Sequence, residues 1–296
     1  MIAPVSRRTA LKQLALAGAG LTLAGELPKL PAAEIAADVG AAPLKPGFRF
    51  GVATVSLKSL PLENALAAVQ RVGLDRISLF RAHSPWENSP PAWRAVAEKI
   101  KAAGITTGCC GVLYMKNDEP ALRRMLDYVR ALGVTLFSCS PEPAALPLLE
   151  RLVKEYDLRA ALHNHGPEDK TWPSPEEVWK AIKPLDSRIG LCLDIGHSYR
   201  AGVDPVGAIR RYRDRLYDVH LKDSLAAVGA EDIPVEVGRG HIDQREVLTA
   251  LIETGYNQTV WFEYEKDPND PLPGLAESVG YIRGLLKGMG LRTTPA

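Results

Sequence analysis

Apolar and polar positions alternate in a pattern that repeats eight times from Phe48 onward. Each repeat has a short apolar run, a polar stretch and a longer segment with apolar residues at helical spacing. The apolar runs predict strands at Phe48–Leu57, Arg76–Ala82, Thr106–Tyr114, Leu136–Pro141, Arg159–His165, Ile189–His197, Leu216–Asp223 and Gln258–Glu265. The helical segments are Leu62–Val72, Pro91–Ala103, Glu119–Leu132, Pro143–Tyr156, Pro175–Ile182, Pro205–Arg215, Gln244–Thr254 and Gly274–Met289. This alternation predicts an α/β fold around a parallel sheet.

Residues at the ends of the helical segments support this assignment. Ser174 and Glu177 form a capping box, and Asp204 and Asp243 precede two later helices as N-cap residues. Glycines suited to a left-handed C-terminal position follow five helices: Gly73, Gly104, Gly133, Gly255 and Gly290. Eight strand–helix units in about 250 residues have the size and rhythm of a (β/α)8 TIM barrel. We therefore predict a single-domain barrel over residues 46–296.

A doubly wound open sheet is the alternative architecture. It would need a glycine-rich phosphate loop after the first strand. The chain has Ser56-Leu57-Lys58-Ser59 there, which contains no glycine. The sequence therefore favours the barrel.

The first 45 residues have a different character from the rest of the chain. Arg7 and Arg8 precede a run of small and apolar residues from Gln13 to Gly25, a pattern that resembles a twin-arginine export signal. The alternative is an amphipathic N-terminal helix of the mature fold. We expect residues 1–45 to be signal and linker, and the protein to be periplasmic or otherwise exported. No apolar run of membrane-spanning length follows, so we expect no membrane association after signal removal.

The charge balance and the cysteine positions bear on two questions: whether the protein binds nucleic acid and whether it forms disulfide bonds. The chain has 36 basic and 35 acidic residues, a formal charge of +1, which gives no reason to expect a nucleic-acid partner. Its four cysteines, Cys109, Cys110, Cys139 and Cys192, lie within apolar, strand-like runs, where they serve as small apolar side chains. We therefore expect no structural disulfide, even in an exported protein.

All six histidines fall at the end of a predicted strand or in the loop after it: His83, His163, His165, His197, His220 and His241. In a TIM barrel these positions form one rim, where active sites of this fold lie. Because side chains alternate along a strand, Asp218, His220 and Lys222 share one face, as do Glu263 and Glu265. Neighbouring strands lie about 4.8 Å apart, so one ligand from each can converge on a cation. Mixed imidazole and carboxylate ligands suit transition metals better than Ca²⁺.

Four segments resemble the xylose isomerase-like TIM-barrel superfamily of sugar isomerases and epimerases, which also includes endonuclease IV. They are Leu162–Gly166, Asp194–His197, Val219–Asp223 with Gly238–Gly240 downstream, and Phe262–Glu265. The resemblance implies one divalent metal ion held by Asp194, His220 and Glu263. His163 stands where the family has a fourth, glutamate ligand, and it is our fourth candidate. Mn²⁺ is favoured, with Zn²⁺, Co²⁺, Fe²⁺ and Mg²⁺ as alternatives.

The resemblance also implies a metal-dependent isomerase or epimerase that acts on a sugar or keto-sugar through an enediolate. Glu263, His163 and His165 are the candidate catalytic bases. A metal-dependent lyase or dehydratase is the alternative, because epimerases of this superfamily use two glutamates and His163 replaces one. The His-Asn-His version resembles an exported subgroup of sugar phosphate isomerases/epimerases. A non-catalytic periplasmic sugar-binding protein is an alternative of another class, and a DNA-repair nuclease is disfavoured by the neutral charge.

Further rim residues are candidates for contact with a small carbohydrate substrate. We expect His83, His197, Lys222 and Arg239 to bind it. For other residues the sequence leaves two interpretations open: ligand or not for Glu265, substrate contact or loop residue for His241, and sugar stacking or loop packing for Trp86, Tyr114 and Trp172. Asp223 and Asp243 are more typical of structural roles, and homodimerisation stays open.

Overall fold

The computed structural model describes residues 46–291. The predicted export signal and linker, residues 1–45, and the last residues, 292–296, lie outside the described part of the chain. The helices are α1 (Leu62–Arg71), α2 (Pro90–Ala102), α3 (Glu119–Ala131), α4 (Leu146–Tyr156), α5 (Pro175–Ile182), α6 (Ile195–Arg200), α7 (Pro205–Tyr212), α8 (Gln244–Glu253) and α9 (Pro271–Gly288). The strands are β1 (Arg49–Ala53), β2 (Arg76–Leu79), β3 (Thr106–Cys110), β4 (Leu113–Met115), β5 (Leu136–Pro141), β6 (Arg159–His163), β7 (Ile189–Asp194), β8 (Leu216–Leu221), β9 (Asp223–Ser224), β10 (Pro234–Val235) and β11 (Thr259–Phe262).

Nine of these strands form one parallel sheet in the order β3-β2-β1-β11-β8-β7-β6-β5-β4. The first strand, β1, pairs with the last, β11, so the two ends of the repeat are neighbours. Helices alternate with the strands along the chain, and their apolar faces pack with the sheet in the main core. The predicted (β/α)8 TIM barrel is therefore confirmed.

The third predicted strand, Thr106–Tyr114, is divided into β3 and β4. β3 pairs with β2, β4 pairs with β5, and Gly111 and Val112, joined by a cis peptide bond, lie between them. Gly111 has a φ of 146°, and a Cβ there would lie 2.3 Å from the carbonyl oxygen of Ser138. Only glycine fits at this position, because the backbone of Gly111 lies so close to Ser138 of β5.

The predicted strand Ile189–His197 is wrong in its last three residues. β7 ends at Asp194, whose Oδ1 accepts a hydrogen bond from the backbone N–H of His197 at 2.9 Å. This contact caps the short helix α6, so His197 lies in a helix rather than at a strand end. One carboxylate therefore both ends the strand and begins the helix.

The predicted N-caps Ser174, Asp204 and Asp243 each accept backbone hydrogen bonds at the start of their helices. All four cysteines are buried free thiols. A small cluster inside the barrel is formed by Ala53, Cys109, Leu136, Ala161, Cys192 and Trp261. Within the part of the chain that the structure describes, no helix has the length and apolar character needed to cross a membrane.

Asp223 organises the segment that follows β8. It is buried, and its carboxylate accepts hydrogen bonds from the backbone N–H groups of Ser224, Gly238, Gly240 and Ile242 at 2.8–3.2 Å. A Cβ on Gly240 would lie 2.0 Å from the Asp223 Oδ1 atom, so glycine is required there. These contacts support the structural interpretation of Asp223 and explain why Gly238–Gly240 accompanies it in the sequence.

Candidate functional site

A cavity of about 450 Å³ opens at the carboxyl ends of the barrel strands. One side, the β1–β4 wall, is formed by Ala53, Thr54, Val55, Ser78, Phe80, Arg81, Gly111, Val112 and Tyr114. The other side, the β6–β11 wall, is formed by His163, His165, His197, His220, Lys222, Glu263 and Glu265. Four of the six histidines that the sequence assigned to one rim therefore meet in one cavity.

Three of the predicted metal ligands converge on this side of the barrel: His220 and Glu263 belong to the β6–β11 wall, and the buried Asp194 lies beside them. Asp194, His220 and Glu263 each offer a ligand atom, and these atoms lie within 4.8 Å of one another. His220 Nδ1 lies 2.7 Å from Glu263 Oε2 and 4.0 Å from Asp194 Oδ2. Asp194 is fully buried, and its Oδ2 makes no hydrogen bond with any group in residues 46–291. An open, buried carboxylate oxygen facing two further ligands fits a divalent cation.

Asn164 fixes the position of Asp194. Its side-chain oxygen accepts a hydrogen bond from the Asp194 N–H at 3.0 Å, and its side-chain nitrogen donates to the Asp194 carbonyl at 3.3 Å. The Ser198 hydroxyl donates to the same carbonyl at 2.6 Å. Asn164 was not among the predicted site residues, although its place between His163 and His165 was the available signal.

His163 lies beside the three converging ligands rather than among them. Its Nε2 is 3.5 Å from Asp194 Oδ2, and its ring centre is 4.9 Å from that of His220. One donor atom of His163 lies within 4.8 Å of donor atoms of His220 and Cys192. His163 and Glu263 do not share such a set of ligand atoms. The structure therefore does not gather the four predicted ligands into one set, and ligation by His163 stays a prediction.

Lys222 places a positive charge among the carboxylates. Its Nζ lies 2.8 Å from Glu263 Oε1, 2.5 Å from Glu265 Oε2 and 3.4 Å from Asp194 Oδ2. Burial opposes the charged form, but these three carboxylates raise the pKa of Lys222 well above its usual value. Burial likewise opposes ionisation of Glu263, yet Lys222 and His220 lower its pKa well below the usual range. Glu263 is therefore an anion and a weak base.

His165 is the imidazole best placed to act as a base. Its Nδ1 lies 3.2 Å from Asp169 Oδ2, and its Nε2 lies 3.2 Å from the Tyr114 hydroxyl at the cavity mouth. Burial, with the nearby charge of His163, lowers the pKa of His165 to about 4. The ring is therefore neutral at neutral pH. The negative charge of Asp169 favours the proton on Nδ1, although the two side chains form no hydrogen bond, and Nε2 is then the acceptor.

His197 presents a second neutral imidazole to the cavity. Burial lowers its pKa to about 3, and Arg200, which is itself buried, donates to its Nδ1 at 3.1 Å. Its Nε2 therefore carries the proton, 3.9 Å from Asp194 Oδ2. This position agrees with the expected role of a hydrogen-bond donor to substrate.

Two predicted substrate contacts lie outside the cavity lining. His83 packs behind β1, where its ring nitrogens lie 3.2 Å from Thr54 Oγ1 and 3.1 Å from the Leu60 carbonyl. Arg239 is exposed and pairs with Glu277 at 2.7 Å. Both side chains hydrogen-bond to neighbouring protein groups and neither lines this cavity, so direct contact with a substrate there is not supported for either.

Of four remaining rim candidates, His241, Trp172, Trp86 and Tyr114, one lines the main cavity and three do not. His241 Nδ1 lies 3.2 Å from the Tyr199 hydroxyl, in a separate cavity of about 310 Å³. Trp172 is buried and donates to the Pro141 carbonyl at 2.8 Å, which identifies it as a packing residue. Trp86 packs against the main core. Tyr114, 61% exposed, is the one of the three aromatic candidates that lines the main cavity.

A family model described as xylose isomerase-like TIM barrel matches residues 66–285. The chain belongs to this family. Among its curated relatives, the rhizopine catabolism protein MocC of Rhizobium meliloti is 32% identical over 148 residues, 45% of this chain and 45% of that protein. Inosose dehydratase of Clostridium tetani is 30% identical over 156 residues, 46% of this chain and 50% of that protein. The chain thus spans about half the length of the curated relatives it matches.

Two solved structures share this fold. The IolI protein, whose crystal structure holds a zinc atom, superposes with a TM-score of 0.68 at 17% identity, over 81% of this chain and 99% of that one. L-ribulose 3-epimerase superposes with a TM-score of 0.67 at 18% identity, over 81% and 95% of the two chains. At these identities the likeness concerns the fold.

Proposed function

We propose that the protein is a divalent-metal-dependent enzyme that removes the proton beside the carbonyl of a keto-sugar or related keto-polyol. The resulting enediolate is reprotonated to give an isomer or epimer. One observation carries the proposal: of the converging ligands Asp194, His220 and Glu263, the last two line the same cavity as the neutral imidazole of His165. A ligand set and a base side by side are the minimum that this chemistry requires.

Asp194, His220 and Glu263 would hold the cation, with His163 as the candidate fourth ligand. Two carboxylates with imidazole suit Mn²⁺, which we favour, and also Zn²⁺, Co²⁺ and Fe²⁺. When bound, the cation supplies Lewis-acid polarisation of the substrate carbonyl. Because Asp194 Oδ2 is held open by the backbone contacts of Asn164, the ligand geometry is preorganised.

The side chains of the cavity divide the remaining work. His165 Nε2 accepts the proton from carbon, and the Asp169 carboxylate 3.2 Å away stabilises the imidazolium that forms. The Lys222 ammonium is placed to donate to the substrate oxygen that gains negative charge. Val55, Phe80 and other side chains of the β1–β4 wall would pack on the carbon skeleton and exclude water.

Dehydration is the second candidate outcome, and two observations favour it. Inosose dehydratases are among the relatives of the chain. In addition, the family's second glutamate is replaced by His163, so the cavity offers one exposed base rather than a glutamate on each face. In dehydration the proton taken by His165 passes to a β-hydroxyl group, which leaves as water while the carbon–carbon double bond forms. No further base is needed for that sequence.

Proton exchange in D2O tests the common step before the substrate is known. The full chain, once loaded with Mn²⁺ and once treated with chelator, is incubated with ketohexoses, 3-keto-glucosides and inosose, and the α-proton signal is followed by NMR. We expect loss of that signal with the metal-loaded protein alone. Isomer signals would identify an isomerase or epimerase, and an enone absorption would identify a dehydratase. Binding of these compounds without any exchange would contradict the proposal and indicate a sugar-binding protein.

We also propose that the chain is exported, on the strength of Arg7 and Arg8 before the run Gln13 to Gly25. Replacing both arginines by lysine should retain the protein in the cytoplasm of a host with the twin-arginine pathway, as followed by cell fractionation. Undiminished export of that variant would contradict this proposal.

A further inference from the structure

A second group of metal-ligating side chains lies beneath the converging ligands. One donor atom each from His163, Cys192 and His220 lies within 4.8 Å of the others, and all three side chains are almost fully buried. We propose that these residues form a second cation site, deeper in the barrel, that selects sulfur-binding ions such as Cd²⁺ and Zn²⁺. This proposal concerns ion binding and does not rest on the proposed activity.

The strand register explains how this deeper group arises. His163 is the neighbour of Cys192 across β6 and β7, and Cys192 is the neighbour of Asp218 across β7 and β8. Because residues two apart on a strand share a face, Cys192 lies one layer below Asp194, and Asp218 one layer below His220. The barrel interior therefore carries two polar layers, one above the other.

His163 provides the observation that points to a ligand. Neither of its ring nitrogens makes a hydrogen bond with any group in residues 46–291, although the side chain is 3% exposed. A buried imidazole left without a partner is costly, and a metal ion is a partner that would satisfy it. His163 and His220 both line the main cavity, which gives an ion a route to Cys192.

The charges around the deeper group match a divalent cation. Cys192 Sγ donates to Asp218 Oδ2 at 3.6 Å, and the same oxygen lies 3.6 Å from His220 Nε2. Asp218 is itself buried, with its other oxygen accepting from the Trp261 indole at 2.5 Å. A divalent ion held by two imidazoles and the Cys192 thiolate, beside the Asp218 carboxylate, gives a group without net charge.

The thiol accounts for the selectivity. Cys192 binds a metal ion as the thiolate, so the ion must displace the thiol proton that Asp218 Oδ2 accepts at 3.6 Å. Thiolate ligands favour Zn²⁺ and Cd²⁺, whereas carboxylates favour Mn²⁺ and Mg²⁺. Each ion that binds at Cys192 releases one proton to solvent. We therefore expect Mn²⁺ at Asp194 and Glu263, and Cd²⁺ at Cys192.

His220 belongs to both groups, and His163 is also the candidate fourth ligand of the upper set, so the two sites compete. Its Nδ1 faces Glu263 and its Nε2 faces Asp218. Two cations on opposite nitrogens would require a fully deprotonated imidazole, so we expect one ion at a time. Cd²⁺ should accordingly displace Mn²⁺ that was bound first.

Cadmium titration of the metal-free full chain tests the site. Binding at Cys192 should produce the ultraviolet charge-transfer absorption of a sulfur–cadmium bond, and electron paramagnetic resonance should detect release of bound Mn²⁺. In Cys192→Ser we expect no such absorption. The Cd²⁺ affinity should also fall by more than the roughly 10–100-fold that is lost when a residue that only supports a ligand is removed. Cys139→Ser, which removes a buried thiol of β5 outside the group, is the matched control and should behave as the wild type.

A converse variant and a direct measurement complete the test. Glu263→Gln should weaken Mn²⁺ binding and keep the sulfur–cadmium absorption, because Glu263 belongs to the upper set of ligands alone. X-ray absorption at the cadmium edge should find a sulfur neighbour in the wild-type protein, whether or not the cysteine variants fold. A shell of nitrogen and oxygen alone, or an unchanged absorption in Cys192→Ser, would overturn the proposal.

Discussion

The two walls of the cavity arise from the same strand–loop–helix repeat, yet they carry different chemistry. The β6–β11 wall holds four histidines, a lysine and two glutamates, several of them with strongly shifted pKa values. The β1–β4 wall carries a single charged residue, Arg81, which pairs with Glu87 at 2.8 Å. The barrel brings all strand ends together, and the side chains at each end decide which wall reacts and which wall only shapes the cavity.

Two hydroxyl groups on the β1–β4 side, those of Thr54 and Ser56, are hydrogen-bonded to protein. Thr54 accepts from the backbone N–H of Phe80 at 2.8 Å and lies 3.2 Å from His83. Ser56 accepts from the backbone N–H of Tyr264 at 2.8 Å. Next to the opposite wall, the buried Asp194 Oδ2 makes no hydrogen bond with any group in residues 46–291. The difference therefore lies in how many donors and acceptors are left free, and four predictions test it.

The largest effect is expected for Asp194→Ala. This change removes the buried ligand oxygen and the cap of α6 together, so purified protein should retain no bound metal and no activity. Elemental analysis measures the metal, and His220→Ala should give the same result. Asp204→Asn is the control, because it changes a carboxylate at a peripheral helix start and should keep wild-type metal content. Wild-type metal content in Asp194→Ala would exclude Asp194 as a ligand.

His165→Gln should lower kcat/KM by about 10²–10⁴-fold, the usual contribution of a general base, while metal content is kept. Because the base acts unprotonated and its pKa is about 4, wild-type activity should persist at neutral pH and fall as pH drops through that value. The residual activity of the variant should lack this acidic limb. Rate profiles are recorded with metal content at each pH, since ligand protonation also releases metal. If the activity of the variant fell with pH in the same way as that of the wild type, the fall would be due to a group other than His165.

A smaller loss of activity is expected for Tyr114, whose hydroxyl joins the β1–β4 wall to His165 of the β6–β11 wall. Tyr114→Phe removes the hydroxyl 3.2 Å from His165 Nε2 and keeps the ring at the cavity mouth. The loss of about 1 kcal/mol for one hydrogen bond corresponds to a roughly fivefold fall in kcat with little change in KM. Tyr114→Ala should raise KM as well, because the ring is also lost. Tyr281→Phe, at a similarly exposed but distant site, is the control. Equal kinetics for Tyr114→Ala and wild type would remove Tyr114 from the site.

The smallest effect concerns His83, behind the β1–β4 wall. Burial lowers the pKa of His83 below its usual value of 6.5, so the unfolded chain binds this proton more readily than the folded one. Its contribution to stability is therefore present above pH 6.5 and is lost as pH falls below that value. In His83→Gln the free energy of unfolding should depend less on pH between neutral and mildly acidic conditions, as measured by urea titration. The same pH dependence in His83→Gln and wild type would contradict this assignment.

The periodicity of the sequence predicted the barrel, and the resemblance to the xylose isomerase-like family implied that Asp194, His220 and Glu263 converge. The periodicity did not predict the division of the third strand, because the apolar run Thr106–Tyr114 continues through Gly111 and Val112. That break depends on contact with Ser138, which is distant in sequence.

Side-chain partners were the part of the site that the sequence could not supply. His83 and Arg239 have the residue types and rim positions of substrate contacts, but Thr54 and Glu277 occupy their polar groups. The pairing of His163 with Cys192 likewise follows from the register between two strands. Such partners are fixed by packing between segments, which a periodic pattern along one segment does not specify.

The Asp223 carboxylate has a consequence for the dynamics of the rim. Four backbone amides, from Ser224 to Ile242, share this one acceptor group. Opening the segment exposes all four amides and leaves a buried carboxylate unsatisfied, so they should exchange with solvent deuterium at one common rate instead of independently. The segment would then behave as a single cooperative unit, with slow exchange unusual for irregular backbone.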